Sequence, residues 1–279
     1  MINYLLDVSW LLYRGFYAMS HVYDEYPELH YLAKKLESLL SRKDACVYLC
    51  LDGRNPKGRR LLGENYKAGR DKSGNRSVYE GLPSFIKLLN NDRLKVYYNE
   101  NYESDEIIYT LSKTLDGRKK ILSGDKDLLQ SLDNDTVIES FKGLVTTEES
   151  YKYEYADQFF GIDPPRLPIY RAITGDASDT LFPPVKRFPH KLAANIASTI
   201  EYDGSCPTIE NLKSISKEYT ASEIKWIEKL ILSYDSFKTN FDIMKLNVIT
   251  DKLIGNDYSY QLIGLSDFLK SKIERLNAL

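Results

Sequence analysis

The sequence predicts an α/β fold in which a mostly parallel central sheet is flanked by helices and followed by a helical C-terminal region. Three observations carry this. Short apolar runs alternate with helical stripes through about residue 150, several of those runs end in acidic residues, and from Tyr151 onward the texture turns helical and proline-punctuated. Six of the ten prolines fall between Pro164 and Pro189. The expected organisation is a first domain over 1–150, carrying a mobile basic segment around 54–90, and a helical region over 151–279.

Ile2 to Leu6 is a short apolar strand ending in Asp7, and Leu11, Leu12, Phe16 and Tyr17 continue as a helix that contains Arg14. Glu28 to Leu40 carries Leu29, Leu32, Leu36, Leu39 and Leu40 at helical spacing, a core-facing stripe. Ala45 to Leu51 is a continuous apolar run suited to a strand buried on both faces, and it leads into Asp52-Gly53. Val78 to Leu89 predicts an amphipathic helix and Leu94 to Tyr98 a third strand. Glu103-Ser104-Asp105-Glu106 opens a helix continuing through Ile107, Ile108 and Leu111. The same pattern recurs at Lys119 to Leu132: Ile121 and Leu122 end a buried strand, Gly124 permits a sharp turn, and Leu128, Leu129 and Leu132 resume at helical spacing. Thr136 to Phe141 predicts a fifth strand. After Glu201, helical stripes such as Ile224, Ile227 and Ile231 carry no motif, and there is no internal repeat.

Composition removes several function classes. With 43% hydrophobic residues the chain can bury a sizeable core. No apolar run is long enough for a membrane span, and Asp7 and Arg14 interrupt any signal-like N-terminus, so a cytoplasmic location is expected. The three cysteines form neither a disulfide framework nor a zinc spacing, and the scattered His21, His30 and His190 argue against imidazole chemistry. A net charge of −2 is unusual for a nucleic-acid binder, but the distribution is uneven. Arg54 to Arg76 holds eight basic and two acidic residues, a local +6. When the nine carboxylates nominated below are set aside, the net −2 becomes +7.

Those nine are Asp7, Asp52, Glu103, Asp105, Glu106, Asp125, Asp127, Asp176 and Asp179, each of which follows a strand or opens a helix. Taken singly, such residues are helix caps or partners of a helix dipole, and Asp125 and Asp127 have that reading too. In a parallel sheet, however, most of them would gather at one edge, the place where open α/β sheets bind ligands. Their mutual repulsion calls for cations. A histidine-poor, oxygen-only set favours Mg²⁺, with Mn²⁺ as a substitute, over zinc. Two such ions suit hydrolysis of a phosphodiester, and the basic segment would neutralise charge on the phosphate. Tyr66-Lys67-Ala68-Gly69-Arg70 sets an aromatic beside two cations, a combination that stacks a base and grips phosphate.

Leu5-Leu6-Asp7, Tyr13-Arg14-Gly15-Phe16-Tyr17-Ala18, Leu51-Asp52-Gly53, Tyr66-Lys67-Ala68-Gly69-Arg70, Glu103-Ser104-Asp105-Glu106, Ser123-Gly124-Asp125-Lys126-Asp127-Leu128-Leu129-Gln130 and Gly175-Asp176-Ala177-Ser178-Asp179 occur in that order. Over residues 1 to about 190 this set resembles the 5′-nuclease family, which includes bacteriophage flap endonucleases and the 5′-nuclease domain of bacterial DNA polymerase I. The resemblance implies a PIN-like domain, a helical arch over the active site and a helix-three-turn-helix region that grips duplex DNA. It also implies that Asp7, Asp52, Glu103, Asp105 and Glu106 form one metal cluster, with Asp125 between two ions and Asp127, Asp176 and Asp179 completing the second. Lys67 and Arg70 match arch residues near the scissile phosphate, Tyr66 a base-stacking aromatic, and Arg14 a phosphate contact.

Two departures stand out. Glu106 occupies a position where many relatives have Asp, and its carboxylate reaches about one methylene further. The stretch Thr180 to Lys191 has no glycine where the family has a glycine-rich hairpin, which bears on both the duplex grip and the family's monovalent-cation site. Lys186, Arg187 and Lys191 are the candidates to compensate. The expected activity is Mg²⁺-dependent 5′→3′ exonuclease and flap endonuclease cleavage of branched or 5′-ended duplex DNA, RNA-primed ends included. The enzyme would act as a monomer in primer or flap removal during phage replication. A PIN-type ribonuclease on single-stranded RNA and a non-catalytic junction-binding protein are the competing readings.

Overall fold

Alternation along the first strand sorts its side chains to two faces. In β1 (Ile2–Asp7), Tyr4 and Leu6 join one buried cluster and Leu5 joins another on the opposite side. The computed structural model describes residues 1–53, 78–140, 143–251, 253 and 264–279. The basic segment from Arg54 to Arg76, with Tyr66, Lys67 and Arg70, lies outside the described residues.

After β1 the chain forms α1 (Val8–Met19), α2 (Pro27–Leu40), β2 (Ala45–Cys50), α3 (Leu82–Leu88) and β3 (Leu94–Tyr97). It continues through α4 (Ser104–Thr114), β4 (Arg118–Leu122), a 3₁₀ turn over Asp127–Ser131, β5 (Thr136–Glu139) and β6 (Val145–Thr146). The strand order is β3-β2-β1-β4-β5-β6, with the first five parallel and β6 antiparallel to β5. This is the expected α/β architecture, a mostly parallel sheet flanked by helices. Every residue of β2 is buried, as its unbroken apolar run requires of a strand covered on both sides.

The helical remainder comprises α5 (Glu148–Glu154), α6 (Ala156–Phe159), α7 (Leu167–Thr174), α8 (His190–Thr199), α9 (Ile209–Ile215), α10 (Ala221–Leu232), α11 (Tyr234–Met244) and α12 (Asp267–Ala278). One continuous core joins Leu5, Tyr48 and Ile121 of the sheet to Ile169 and Ile173 of α7, Ile196 of α8 and Phe237 and Phe241 of α11. The other face of the sheet is covered by α1, α2, α3 and α12. Thus the last helix returns to the N-terminal layer, where Leu269, Ile273 and Leu276 are buried. Asn277 Nδ2 donates to the Leu88 carbonyl at 2.8 Å, and its Oδ1 accepts from the Asn90 N–H at 2.7 Å. Lys272 lies over the rings of Tyr23 and Phe268, and its ammonium reaches His30 Nδ1 at 3.3 Å. Burial, followed by the charge of Lys272, lowers the His30 pKa to about 4, so the neutral ring accepts from the ammonium.

Three local expectations change. The stretch after Asp125 is a 3₁₀ turn rather than an α-helix, because Asp133 and Thr136 already pair across a tight turn into β5 and leave five residues to coil. The fifth strand stops at Glu139, and β6 adds an antiparallel edge. The helix expected from Val78 begins at Leu82, with Pro83 in its first turn, where a missing N–H costs no helical bond.

The C-terminal helix is a structural clamp rather than a surface addition. Ile273→Ala, which opens a cavity at a 1% exposed position, should cost about 2–5 kcal/mol in equilibrium urea unfolding. A change near zero would show that α12 does not contribute to the cooperative core.

Candidate functional site

The sheet order contains a reversal. From β1 the chain moves outward through β2 to β3, then crosses back to place β4 on the other side of β1. Loops leaving the carboxyl ends of β1 and β4 diverge there and leave a crevice, the usual binding position in such sheets. Asp7 is the last residue of β1, Asp52 lies just beyond β2, and Ser123 to Asp125 follow β4. The N-terminus of α4 brings Glu103 and Asp105 to the same place. Asp127, Asp176 and Asp179 complete the wall, so eight of the nine nominated carboxylates line one cleft of about 550 Å³.

Hydrogen bonds, several from residues distant in the chain, position the acids at the near end of the cleft. Asp7 Oδ1 caps α1 by accepting from the Trp10 N–H at 3.1 Å, and it also receives Ser104 Oγ at 3.3 Å. Its Oδ2 receives Ser123 Oγ at 2.8 Å. Asp52 accepts from the Ser9 hydroxyl and, at 2.7 Å, from the Ser104 N–H. Asp125 Oδ1 accepts from the Asp127 N–H at 2.9 Å, which starts the 3₁₀ turn. Asp125 thus braces the turn from just before its N-cap, which is Lys126, and also lines the cleft. Glu106 is the exception among the nine. Its Oε2 turns back to accept the Glu103 N–H at 2.9 Å, closing a capping box, and it does not line the cleft.

At the far end, Gly175 adopts φ +74°, and a Cβ there would sit 2.6 Å from the Leu181 carbonyl. Paired hydrogen bonds between Asp176 and Leu181 then close the loop that carries Asp176 and Asp179. Thr180 takes the left-handed conformation at φ +60° within that loop, a conformation glycine adopts more easily. Arg171 of α7, which the sequence reading did not single out, lines the cleft between Asp127 and Asp176. Lys126, Trp10, Tyr13 and Tyr79 also line it.

Gly124 has a different purpose from the turn the sequence suggested. A Cβ there would lie 2.5 Å from Nε1 of Trp10, so the residue is small because the indole packs against it. The nominated cations among the described residues do not line the cleft. Arg14 donates Nε–H to Tyr31 Oη at 3.0 Å beside a groove formed with Trp10, Tyr13 and Tyr17. Lys186, Arg187 and Lys191 are exposed.

The donor chemistry fits a hard divalent cation. The acidic lining supplies oxygens, with no histidine or cysteine among the lining residues. Among the described residues no three acidic side chains converge on one point. An ion would therefore keep much of its water and take one or two carboxylates, the mode Mg²⁺ favours. Burial, with the neighbouring charges of Asp52 and Asp125, pushes the Asp7 pKa up to about 7, against the lowering effect of its Ser123 and Trp10 hydrogen bonds. A cation would relieve that strain.

Residues 3–160 match the family model described as the 5′-3′ exonuclease, N-terminal resolvase-like domain. The chain belongs to this 5′-3′ exonuclease family. It is similar to DNA polymerase I of Lactococcus lactis, 27% identical over 91% of the chain and 29% of the relative. It is also similar to that of Bacillus subtilis, 30% identical over 76% of the chain and 24% of the relative. The chain thus spans about a quarter to a third of the length of these curated relatives. A flap endonuclease of bacteriophage T5, solved in complex with DNA and metal ions, shares the family member's fold with a TM-score of 0.63 at 14% identity, each chain covered in full. The catalytic core of Rad2 with DNA substrate gives a TM-score of 0.52 at 13% identity, over 100% of this chain and 88% of that one. No described helix is long and apolar enough to cross a membrane.

An unfolded aspartate titrates near 3.9, so a native pKa of about 7 means that the folded state binds the extra proton between those values. In the metal-free protein the contribution of Asp7 to stability should therefore fall as pH rises from about 4 to 7, opposite in sign to that of His30, whose lowered pKa favours the folded state as pH rises through this range. Asp7→Asn should flatten that decline, raising the melting temperature relative to the parent at pH 8 but not at pH 4. Parallel melting curves for the two proteins across this range would exclude Asp7 as the source.

Proposed function

We propose that this protein is a divalent-metal-dependent, structure-specific 5′ nuclease with both 5′→3′ exonuclease and flap endonuclease activity. The observation that carries the reading is the collection of eight carboxylates at the carboxyl edge of the parallel sheet, in a chain of the 5′-3′ exonuclease family. Mg²⁺ is the proposed resident ion, with Mn²⁺ able to replace it.

Asp7, Asp52, Glu103 and Asp105 are the proposed residues for one ion, with Glu106 reaching it through water if its capping contact opens. Asp127, Asp176 and Asp179 are the proposed residues for a second, and Asp125 lies between the two groups. Bound ions would activate a water and stabilise charge on the attacking and leaving oxygens of a phosphodiester. The protein's own part is to hold the acids in place and oriented. Ser9, Ser104 and Ser123 donate to Asp7 and Asp52, leaving their remaining lone pairs free to face the cleft. Lys67 and Arg70 are the proposed cations at the scissile phosphate and Tyr66 a stacking surface, with Arg14, Lys186, Arg187 and Lys191 as backbone contacts.

The proposed substrate is branched or 5′-ended duplex DNA, cut to leave 5′-phosphate and 3′-hydroxyl ends, in primer or flap removal during phage replication. The similarity to a phage flap endonuclease and to about a quarter to a third of the length of DNA polymerases I supports this. Residues 1–150 would form the nuclease domain and 151–279 the helical DNA-binding region.

A 5′-flapped duplex incubated with protein and Mg²⁺ should be cut near the junction and preferred over single-stranded RNA of equal length in a mixed assay. Preference for the RNA, or no cleavage across Mg²⁺ and Mn²⁺ titrations, would sink the reading. Asp125→Asn should lower the cleavage rate by 10²-fold or more while changing DNA affinity less than about tenfold, a split expected when a group acts mainly in the transition state. Equal losses would reassign Asp125 to binding.

A further inference from the structure

Arg171 stands in the last turn of α7, a helix otherwise lined by buried Leu167, Ile169, Tyr170, Ala172 and Ile173. Its guanidinium lies over Phe159 with 5.4 Å to the ring centroid, which packs the side chain into the wall of the cleft. Nη1 pairs with Asp176 Oδ2, while Nη2 stands 3.7 Å from Asp127 Oδ1. The arginine therefore spans two carboxylates from separate elements, the 3₁₀ turn after β4 and the loop after α7. The other oxygen of Asp176 is held by the Ser178 N–H at 2.8 Å and by the Ser178 hydroxyl at 2.5 Å. These are two of the three acids assigned above to the second ion.

A guanidinium does not give up its proton in a protein, so its charge can leave this position only by movement of the side chain. A divalent ion approaching Asp127 and Asp176 meets a fixed positive charge already seated between them. Removing a unit charge a few ångströms from an ion in a half-buried site changes affinity by about tenfold or more.

We propose that Arg171 is a tethered counter-cation at the second ion position, bridging Asp127 and Asp176 in the metal-free protein and releasing them as the ion binds. This rests on the two-ion reading above. It weakens the Asp127 position, which gives up its ion readily because the guanidinium returns to the same two carboxylates. Arg171 is thus a positioning residue, acting through the two acids rather than on the phosphodiester.

The test counts bound Mn²⁺ by electron paramagnetic resonance on the full chain, beside thermal melts in EDTA and in Mg²⁺. The parent should bind two Mn²⁺, one of them, the second, weakened by the guanidinium. Arg171→Gln should tighten the second by about tenfold, lower the melting temperature in EDTA, and regain most of that loss when Mg²⁺ is added. Arg171→Lys, which keeps the charge, should retain the weak second affinity. A second affinity in Arg171→Gln that is unchanged or weaker, or a stability loss that Mg²⁺ does not restore, would overturn the proposal and leave the two-ion reading standing. A single Mn²⁺ in the parent would overturn both. If Arg171→Gln does not fold in EDTA, refolding with Mg²⁺ decides the matter, since recovery supports the counter-cation and failure to recover rejects it.

Discussion

Repulsion among carboxylates at the open edge of the sheet is the constraint to which the rest of the molecule answers. Asp7 shows how tightly it is built in. It ends β1, caps α1, and accepts hydroxyls from α4 and from the turn after β4, so one side chain ties together four segments. A charged group in that position is unfavourable without compensation, and burial is the largest contribution to its raised pKa. The sheet tolerates it because the hydrophobic clusters on its two faces hold the strands in place independently of their acidic ends. Stability is concentrated in the layers and strain at the edge, the division expected where a rigid scaffold supports a reactive site.

Compensation takes two forms at the two ends of the cleft. Near β1 and β2 it is neutral: serine hydroxyls and backbone N–H groups donate to Asp7 and Asp52 without altering the net charge. Near Asp176 it is ionic, through Arg171. Neutral donors orient a carboxylate and leave its charge available to a cation, whereas a guanidinium cancels part of that charge. The cleft is therefore electrostatically asymmetric although its acids look alike in sequence.

Much of this was legible from residue order. The apolar runs of β1, β2 and β4 end in acids, and parallel pairing forces those ends to one edge, so the cleft follows from topology once the strands are recognised. What was not legible depended on contacts with distant partners. Gly124 reads as a turn residue, and only the packing of Trp10 reveals why a side chain is excluded. Glu106 shares its turn with Glu103 and Asp105, but its place three residues after the N-cap draws it to the backbone, a rule visible in the sequence and outweighed by its acidic neighbours. Arg171 left one usable signal, a cation within an apolar helix just before Gly175-Asp176. The return of α12 to the N-terminal layer had no sign in the sequence, since the partner of a helix so late in the chain is set by tertiary packing; that partner is the layer containing α2 and α3.

The contact between Trp10 and Gly124 also makes the molecule self-reporting. Trp10 and Trp226 are the two tryptophans in the chain, and Trp226 packs edge-on against Phe188 in the helical core. The Trp10 indole instead lies against Gly124, in the turn that joins Ser123, whose hydroxyl holds Asp7, to Asp125 in the wall of the cleft. Any rearrangement of that turn changes the polarity around the indole. The intrinsic emission of the unlabelled protein is thereby coupled to the acidic edge, with a spectator tryptophan as its internal reference.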